Sequence, residues 1–427
     1  MTTTEGAPRM NAAMGNTNGD GSRHLNGHKV PGQTGIGSVT QTGTGTVSNG
    51  NGLHPKRTLT LLDLPDLPGI ISAGEVLETA RSIASVQRAD GMIPWFEGGH
   101  CDPWNHVESA MALSVAGLDE EARNAYRWLA HTQLPEGAWF NYYLANSGVK
   151  DPRLDTNVCA YIATGAWHHY VLTEDSHFLQ ELWPTIDRAL AFVLRWQVED
   201  GTVRWSIDPD GRPQDYALLT GSSSIYHALR CGVACAEVLG HERPDWELAA
   251  GRITHAITYT PQAFAPKDEF AMDWYYPVLA GALEGEDAEL RIDAWWDTFV
   301  MEGLGVRCVS TGPWVTAAET AECALALDVL GRTDQAADLL TWAQGLRCGD
   351  GSYWTGMVYP EEVTFPFEER TTYTSAAIVL AADALANATP ASGIFRGETL
   401  PRGLDLAKPS STVVLPDSSD FQAAPLA

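Results

Sequence analysis

Four segments of the chain repeat one phrase: an amphipathic helical stretch, then a Gln, a turn containing Gly, and a Trp. They are "ARSIASVQRADGMIPW" ending at Trp95, "AYRWLAHTQLPEGAW" ending at Trp139, "AFVLRWQVEDGTVRW" ending at Trp205 and "LLTWAQGLRCGDGSYW" ending at Trp354. The Gln residues fall at 87, 133, 197 and 344, with spacings of 46, 64 and 147, the last close to three units of 49. A self-similar unit of that size is one helical hairpin that cannot bury its apolar face alone, so the chain must stack such units into a solenoid or a closed array.

Stretches of helical period run at about 73–87, 103–117, 119–133, 154–172, 176–197, 220–240, 245–258, 271–283, 286–301, 315–330, 333–346 and 370–387. Ser72, Asp119, Asp175, Ser222, Asp245 and Thr333 are candidate N-caps, and Gly117, Gly240 and Gly331 mark helix ends. No alternating strand core is visible. Twelve helices in six hairpins predict an all-α (α/α)6 toroid, whereas an open right-handed solenoid is the plainer alternative. The more apolar stretches, such as "VCAYIATGAWHHYVL" and "SSIYHALRCGVACAEVLG", belong inside, and charged ones such as "DEEARNAYRWLAH" outside.

The expected domain is 58–390. Residues 1–57 are rich in Gly, Thr, Asn and Ser and read as a disordered arm, and 391–427 as a flexible tail. The arm carries five basic side chains against two acidic ones, so nearly all of the net charge of −27 sits in the body. That field argues against nucleic acid as a partner. The seven scattered cysteines form no CxxC pair, which argues against a disulfide framework or a zinc site. No apolar run of membrane length and no secretory leader is visible, so a cytoplasmic protein without a membrane span is expected.

The Gln–Gly–Trp phrase resembles the QW motif of squalene cyclases and the related protein prenyltransferases. The working parts of those families are not matched: the nearest phrase to an acid box is "IDPDG" at 207–211, and no zinc-ligand set follows Asp350 and Cys348. Residues 95–385 resemble six-hairpin glycosidases, specifically the glucoamylase-like group. The sharpest point is "YPEEVTFPFEERTTYTSAAIVL" at 359–380, which is similar to that family's general-base segment and implies that Glu361 is the base. The position of the family's acid, directly after the Trp of a DG–W turn, is held by Ser206, and the next carboxylate is Asp208.

An inverting glycosidase needs two carboxylates in different protonation states with a water between them. In a ring of hairpins, the loops entering the inner helices meet at one mouth. Here they carry Trp95, Asp102, Trp104, Asp155, Asp273, Trp274, Trp314, Glu362 and Tyr373, which would bind sugar by stacking and hydroxyl contacts. Any one of the aspartates can equally be a helix cap. The expected function is a glycoside hydrolase-like enzyme acting on a saccharide, with Glu361 and Asp208 as catalytic residues and no metal or cofactor. The alternatives are an isoprenoid-using prenyltransferase or terpenoid-cyclase-like enzyme, and a non-catalytic sugar-binding protein.

Overall fold

The computed structural model describes residues 63–404 apart from Ser147, together with Leu406. The arm expected at 1–57 and the tail beyond 406 lie outside these residues. The helices are α1 (Ala73–Val86), α2 (Pro103–Val115), α3 (Asp119–Thr132), α4 (Thr156–Ala160), α5 (Ile162–Thr173), α6 (Ser176–Leu194), α7 (Leu219–Val238), α8 (Pro244–Tyr259), α9 (Ala271–Leu279), α10 (Gly285–Phe299), α11 (Ala317–Val329), α12 (Thr333–Ala343) and α13 (Thr372–Ala386). α4 and α5 are one rod interrupted at Tyr161, so the twelve expected helices are all present.

Inner and outer helices alternate. α2, α5, α7, α9, α11 and α13 each contact the next, and α13 returns to α2, so the ring is closed. An open solenoid would leave those two faces apart. The inner helices are buried nearly all round: α13 is buried from Thr372 to Ala384 without a break. An outer helix such as α3 buries only one stripe, Ala122, Ala125, Tyr126, Trp128 and Leu129. The difference follows from sequence, since a helix apolar on every side has to sit in the core and an amphipathic one at its surface.

The repeated Gln–Gly turn joins neighbouring hairpins. Gln87 Nε2 donates to Gly91 O at 3.1 Å within its own turn and to Glu121 O at 2.8 Å on α3. Gln133 does the same to Gly137 O and Thr185 O, both at 2.9 Å, and Gln197 to Gly201 O and Ala249 O. Each turn is thereby tied to the outer helix of the following hairpin. The glycines are required by proximity: a Cβ on Gly91, Gly137 or Gly201 would stand 2.2–2.4 Å from a carbonyl oxygen of that helix, and all three have positive φ. The fourth turn completes the circle, because Gly351 packs against Glu78 of α1. There Gln344 differs, donating back to Leu340 O and accepting from the Tyr353 hydroxyl.

The N-terminal ends of the inner helices share one rim with these turns. Among the described residues, ten strands of two or three residues lie in the loops of that rim, too short to show alternation in sequence. β1 (His100–Cys101), β2 (Tyr142–Leu144) and β3 (Val149–Asp151) form one antiparallel sheet. β4 (Leu154–Asp155) pairs β5 (Ser206–Ile207), and β6 (Val300–Met301) pairs β7 (Gly305–Val306). β8 (Trp314–Thr316), β9 (Gly356–Val358) and β10 (Val363–Thr364) form a second three-stranded sheet in the order β10-β9-β8.

Residues 391–404, which the sequence assigns to a loose tail, lie across the C-terminal parts of the inner helices. Ala391, Ile394 and Phe395 are buried. Trp167 Nε1 donates to Thr399 Oγ1 at 3.0 Å, Arg396 pairs with Asp328 at 2.5 Å, and Arg230 donates to Pro401 O. The apolar pair "IF" at 394–395 anchors this cover, with Phe395 stacked on His227 at 5.1 Å.

Candidate active site

Carboxylates line the barrel from its rim inward. Asp102 caps α2: Oδ1 accepts Asn105 N at 3.0 Å, while Oδ2 accepts Trp95 Nε1 at 2.7 Å and Asn105 Nδ2 at 2.8 Å. Burial raises its pKa against the pull of those donors. Asp155 caps α4 through Asn157 N and Val158 N, with Trp205 beside it, and burial pushes it up to about 6. Thus two of the repeated Trp residues hold acids that cap inner helices: Trp95 holds Asp102 at the start of the following one, α2, and Trp205 reaches back to Asp155 at the start of the preceding one. Trp139 is fully buried structure instead, donating to Leu129 O.

Tyr142 on β2 lies between Asp102 and Asp155, packed on Trp95 and His100 with ring centroids 5.9 and 4.9 Å away. Burial and the neighbouring Lys150 ammonium lower His100 to about 4, so its ring is neutral near pH 7. Across the rim, Glu319 sits in the first turn of α11 and accepts the Thr316 hydroxyl, with Cys308, Tyr275 and Tyr373 around it. Tyr373, in the first turn of α13, joins the two sides by packing edge-on against Trp95 at 5.0 Å.

Deeper along the same two helices are Glu108 and Glu322. Trp104 Nε1 donates to Glu108 at 2.8 Å, the Tyr275 hydroxyl donates to Glu322, and Tyr161 and Tyr276 lie against both acids. Burial pushes both carboxyls up; the Glu322 charge adds to the rise at Glu108, and Glu319 adds to that at Glu322. The result is a run of acids, Asp102, Glu108, Glu322 and Glu319, spanning α2 to α11. A carboxyl whose folded pKa is raised keeps its proton where the unfolded chain has released it. Its contribution therefore falls as pH rises from about 4.3 through the folded value. Glu322→Gln is expected to raise the melting temperature relative to wild type more at pH 8 than at pH 5, measured by thermal denaturation at both.

The other residues expected at the site lie as follows. Trp104, Tyr373 and Trp314 stand on the rim or just inside it. Asp273 accepts Thr220 N and Oγ1 and so braces the start of α7. Trp274 is turned outward: its Nε1 donates to Arg291 O, and its ring stacks on Phe299 at 5.3 Å, because α9 packs this side on α10. Glu361 and Glu362 are exposed on the turn between β9 and β10, and Glu362 has φ 53°. Asp208 accepts the Gln214 amide on both oxygens at 2.9 Å, in the loop after β5. Glu361 and Asp208 are thus carried by separate rim hairpins.

Sequence reasoning missed Glu108, Glu319, Glu322 and Tyr142. The first three had a signal: each is a charged side chain within an otherwise apolar inner helix, in "HVESAMALSV" and "AAETAECALALDV". Such a residue costs several kcal/mol unless it is partnered or faces a polar space. A surface cleft of about 230 Å³ near the C-terminal end of α7, lined by Glu237, His241, Arg243 and Glu247, lies away from these acids. Among the described residues, no cluster of three or more His, Cys, Asp or Glu could hold a metal ion, and no helix is long and apolar enough to cross a membrane.

A closed ring of six hairpins with an acid-lined rim is an (α/α)6 toroid, the architecture of the six-hairpin glycosidases. Solved structures carry the same architecture: a wild-type glycosidase at TM-score 0.58 and 15% identity, covering 74% of this chain and 98% of that one, and a D-mannose isomerase at TM-score 0.55 and 11% identity, covering 72% and 96%. Comparison with protein-family models gives no match. An "MMP endo-(1,4)-3-O-methyl-alpha-D-mannosidase" of Mycolicibacterium hassiacum (strain DSM 44199 / CIP 105218 / JCM 12690 / 3849) is 50% identical over 342 residues, 80% of this chain and 94% of that protein. The chain belongs to the family of that mannosidase, and it is a glycoside hydrolase acting on a saccharide. The isoprenoid alternative gains no support from these relatives.

Proposed function

We propose that the enzyme is an endo-acting α-mannosidase that cleaves internal (1→4) bonds of a mannan carrying 3-O-methyl ethers, with inversion. The observation that carries this reading is the 50% identity to an enzyme of that description, along 94% of its length. The acid run suits the chemistry. Asp102, raised by burial, acts as the general acid and protonates the glycosidic oxygen as its bond to C1 breaks. Glu319, in the first turn of α11, takes a proton from water as the water oxygen bonds C1 from the opposite face. Proton exchange with solvent then resets both groups. Trp95, Trp104, Asp155, Trp314 and Tyr373 bind sugar rings and hydroxyls around them. Glu361 with Asp208 remains the alternative pair, and Glu362 an outlying contact. The catalytic domain spans the barrel, 58–390, with the cover at 391–404 added to it. The seven unpaired thiols fit a cytoplasmic setting.

The test is purified protein with a 3-O-methylated α-(1→4)-mannan. Endo action shortens the chains early and yields oligosaccharides before any monosaccharide. Inversion gives the β-anomer first, seen by proton NMR before mutarotation. Early release of single sugars would remove the endo assignment, and an α-anomeric first product would remove inversion.

A further inference from the structure

The rim sheet beside Glu319 carries apolar surface that the chemical step does not use. Phe367, in the loop after β10, is 79% exposed, the most exposed large hydrophobic side chain among the described residues, and Val363 on β10 is 52% exposed. In the same sheet Trp314 of β8 meets Phe365, just after β10, edge-on at 5.1 Å, and Trp314 Nε1 holds Phe365 O at 2.9 Å. The patch is continuous with the proposed site at both ends. β8 runs directly into α11, which carries Glu319. The loop bearing Phe367 runs into α13, where Thr372 N donates to Trp95 O at 2.7 Å and Thr372 Oγ1 to Pro94 O.

We propose that Phe367, Val363, Phe365 and Trp314 form a shelf that binds the methyl ethers of the substrate chain, on sugar residues beyond the bond that is cut. This rests on the endo-mannosidase reading. An endo enzyme must hold several sugars on either side of the scissile bond, so its binding surface has to continue past the mouth. A 3-O-methyl ether replaces a hydroxyl donor with an apolar group. Polar rim residues gain nothing from it, whereas an aromatic side chain removes it from water. The surroundings select a neutral ligand: Glu361, Glu362 and Glu368 are exposed around the patch and repel an anionic chain. A sugar polymer with apolar substituents fits an aromatic shelf set in an acidic rim.

The experiment compares wild type, Phe367→Ala and Phe367→Leu on two oligosaccharides of equal length, one a 3-O-methylated α-(1→4)-mannan and the other its unmethylated counterpart. Phe367 is exposed, so folding is expected to survive, and circular dichroism checks it. For Phe367→Ala, KM on the methylated chain is expected to rise about tenfold, the worth of a partly buried apolar group, with kcat held within about twofold. The ratio of kcat/KM between the two chains should fall by a similar factor, and Phe367→Leu should restore most of it. Cleavage by the wild type tests the substrate reading separately, since no cleavage of the methylated chain overturns that reading and the shelf's occupant together. Cleavage with an unchanged KM in Phe367→Ala overturns the shelf alone. Equal losses on both chains overturn recognition of the methyl group. Self-association of the wild type that Phe367→Ala abolishes, with KM unchanged, gives the patch to a second copy of the chain and overturns the proposal.

Discussion

Glu319→Gln and Asp102→Asn are each expected to lower turnover by about 10²–10⁴-fold, the usual worth of a positioned acid or base. A carboxamide keeps the shape and the acceptor oxygen but can neither take a proton from water nor give one to a leaving oxygen. The two losses should respond differently to the leaving group. An aryl α-mannoside departs without protonation, so Asp102→Asn should recover much of its rate on such a substrate and Glu319→Gln should not. Added azide, which attacks without a base, should rescue Glu319→Gln alone. Glu361→Gln is the contrasting variant, and its exposed place on the β9–β10 turn leads to nearly full activity. Asp208→Asn should be equally mild, since Asp208 sits in the loop after β5, outside the run of acids on α2 and α11. If Glu361→Gln abolishes turnover while Glu319→Gln is silent, the base is on the hairpin and the acid run of the barrel is structural.

That contrast shows which parts of the site a sequence exposes. Asp102 and Asp155 were legible because a residue in a loop just before an apolar helix has a definite place, at the cap and therefore at the mouth. Glu108, Glu319 and Glu322 carried a weaker signal, because a charge within an otherwise apolar inner helix does not by itself show which face of that helix meets the cavity. Only closure of the ring brings α2 and α11 near enough for their acids to interact. Glu361 drew attention through a likeness of the surrounding phrase to another glycosidase, and phrase order carries no information on which hairpin turn reaches solvent. The ring itself was plainly written, since a hairpin repeat recurring at about 49 residues leaves few ways to bury its faces. The short rim strands were not, because two or three residues cannot display a period of two.

The repeat also makes a quantitative claim about stability. Gly137 has φ 98°, and a Cβ there would stand 2.2 Å from Arg188 O of the next hairpin's outer helix, a separation that no side-chain movement relieves. Gly137→Ala therefore combines backbone strain with forced separation of α3's turn from α6. The two together should cost about 2–4 kcal/mol and lower the melting temperature by about 3–6 °C. Gly211 isolates the backbone part: its φ is 83°, but nothing lies within 4 Å of the added Cβ. Gly211→Ala should cost only about 1–2 kcal/mol. Gln133→Ala removes the two bonds that pin the same turn, to Gly137 O and Thr185 O, and is expected to cost about 1–3 kcal/mol. Combined with Gly137→Ala it should cost less than the sum, because both act on one contact. Gly351→Ala tests closure, since its Cβ would stand 2.7 Å from the carbonyl carbon of Glu78 on α1, where the last hairpin meets the first. If Gly137, Gly351 and Gly211 give equal losses, the glycines serve only their own turns, and the repeated phrase does not hold the hairpins together.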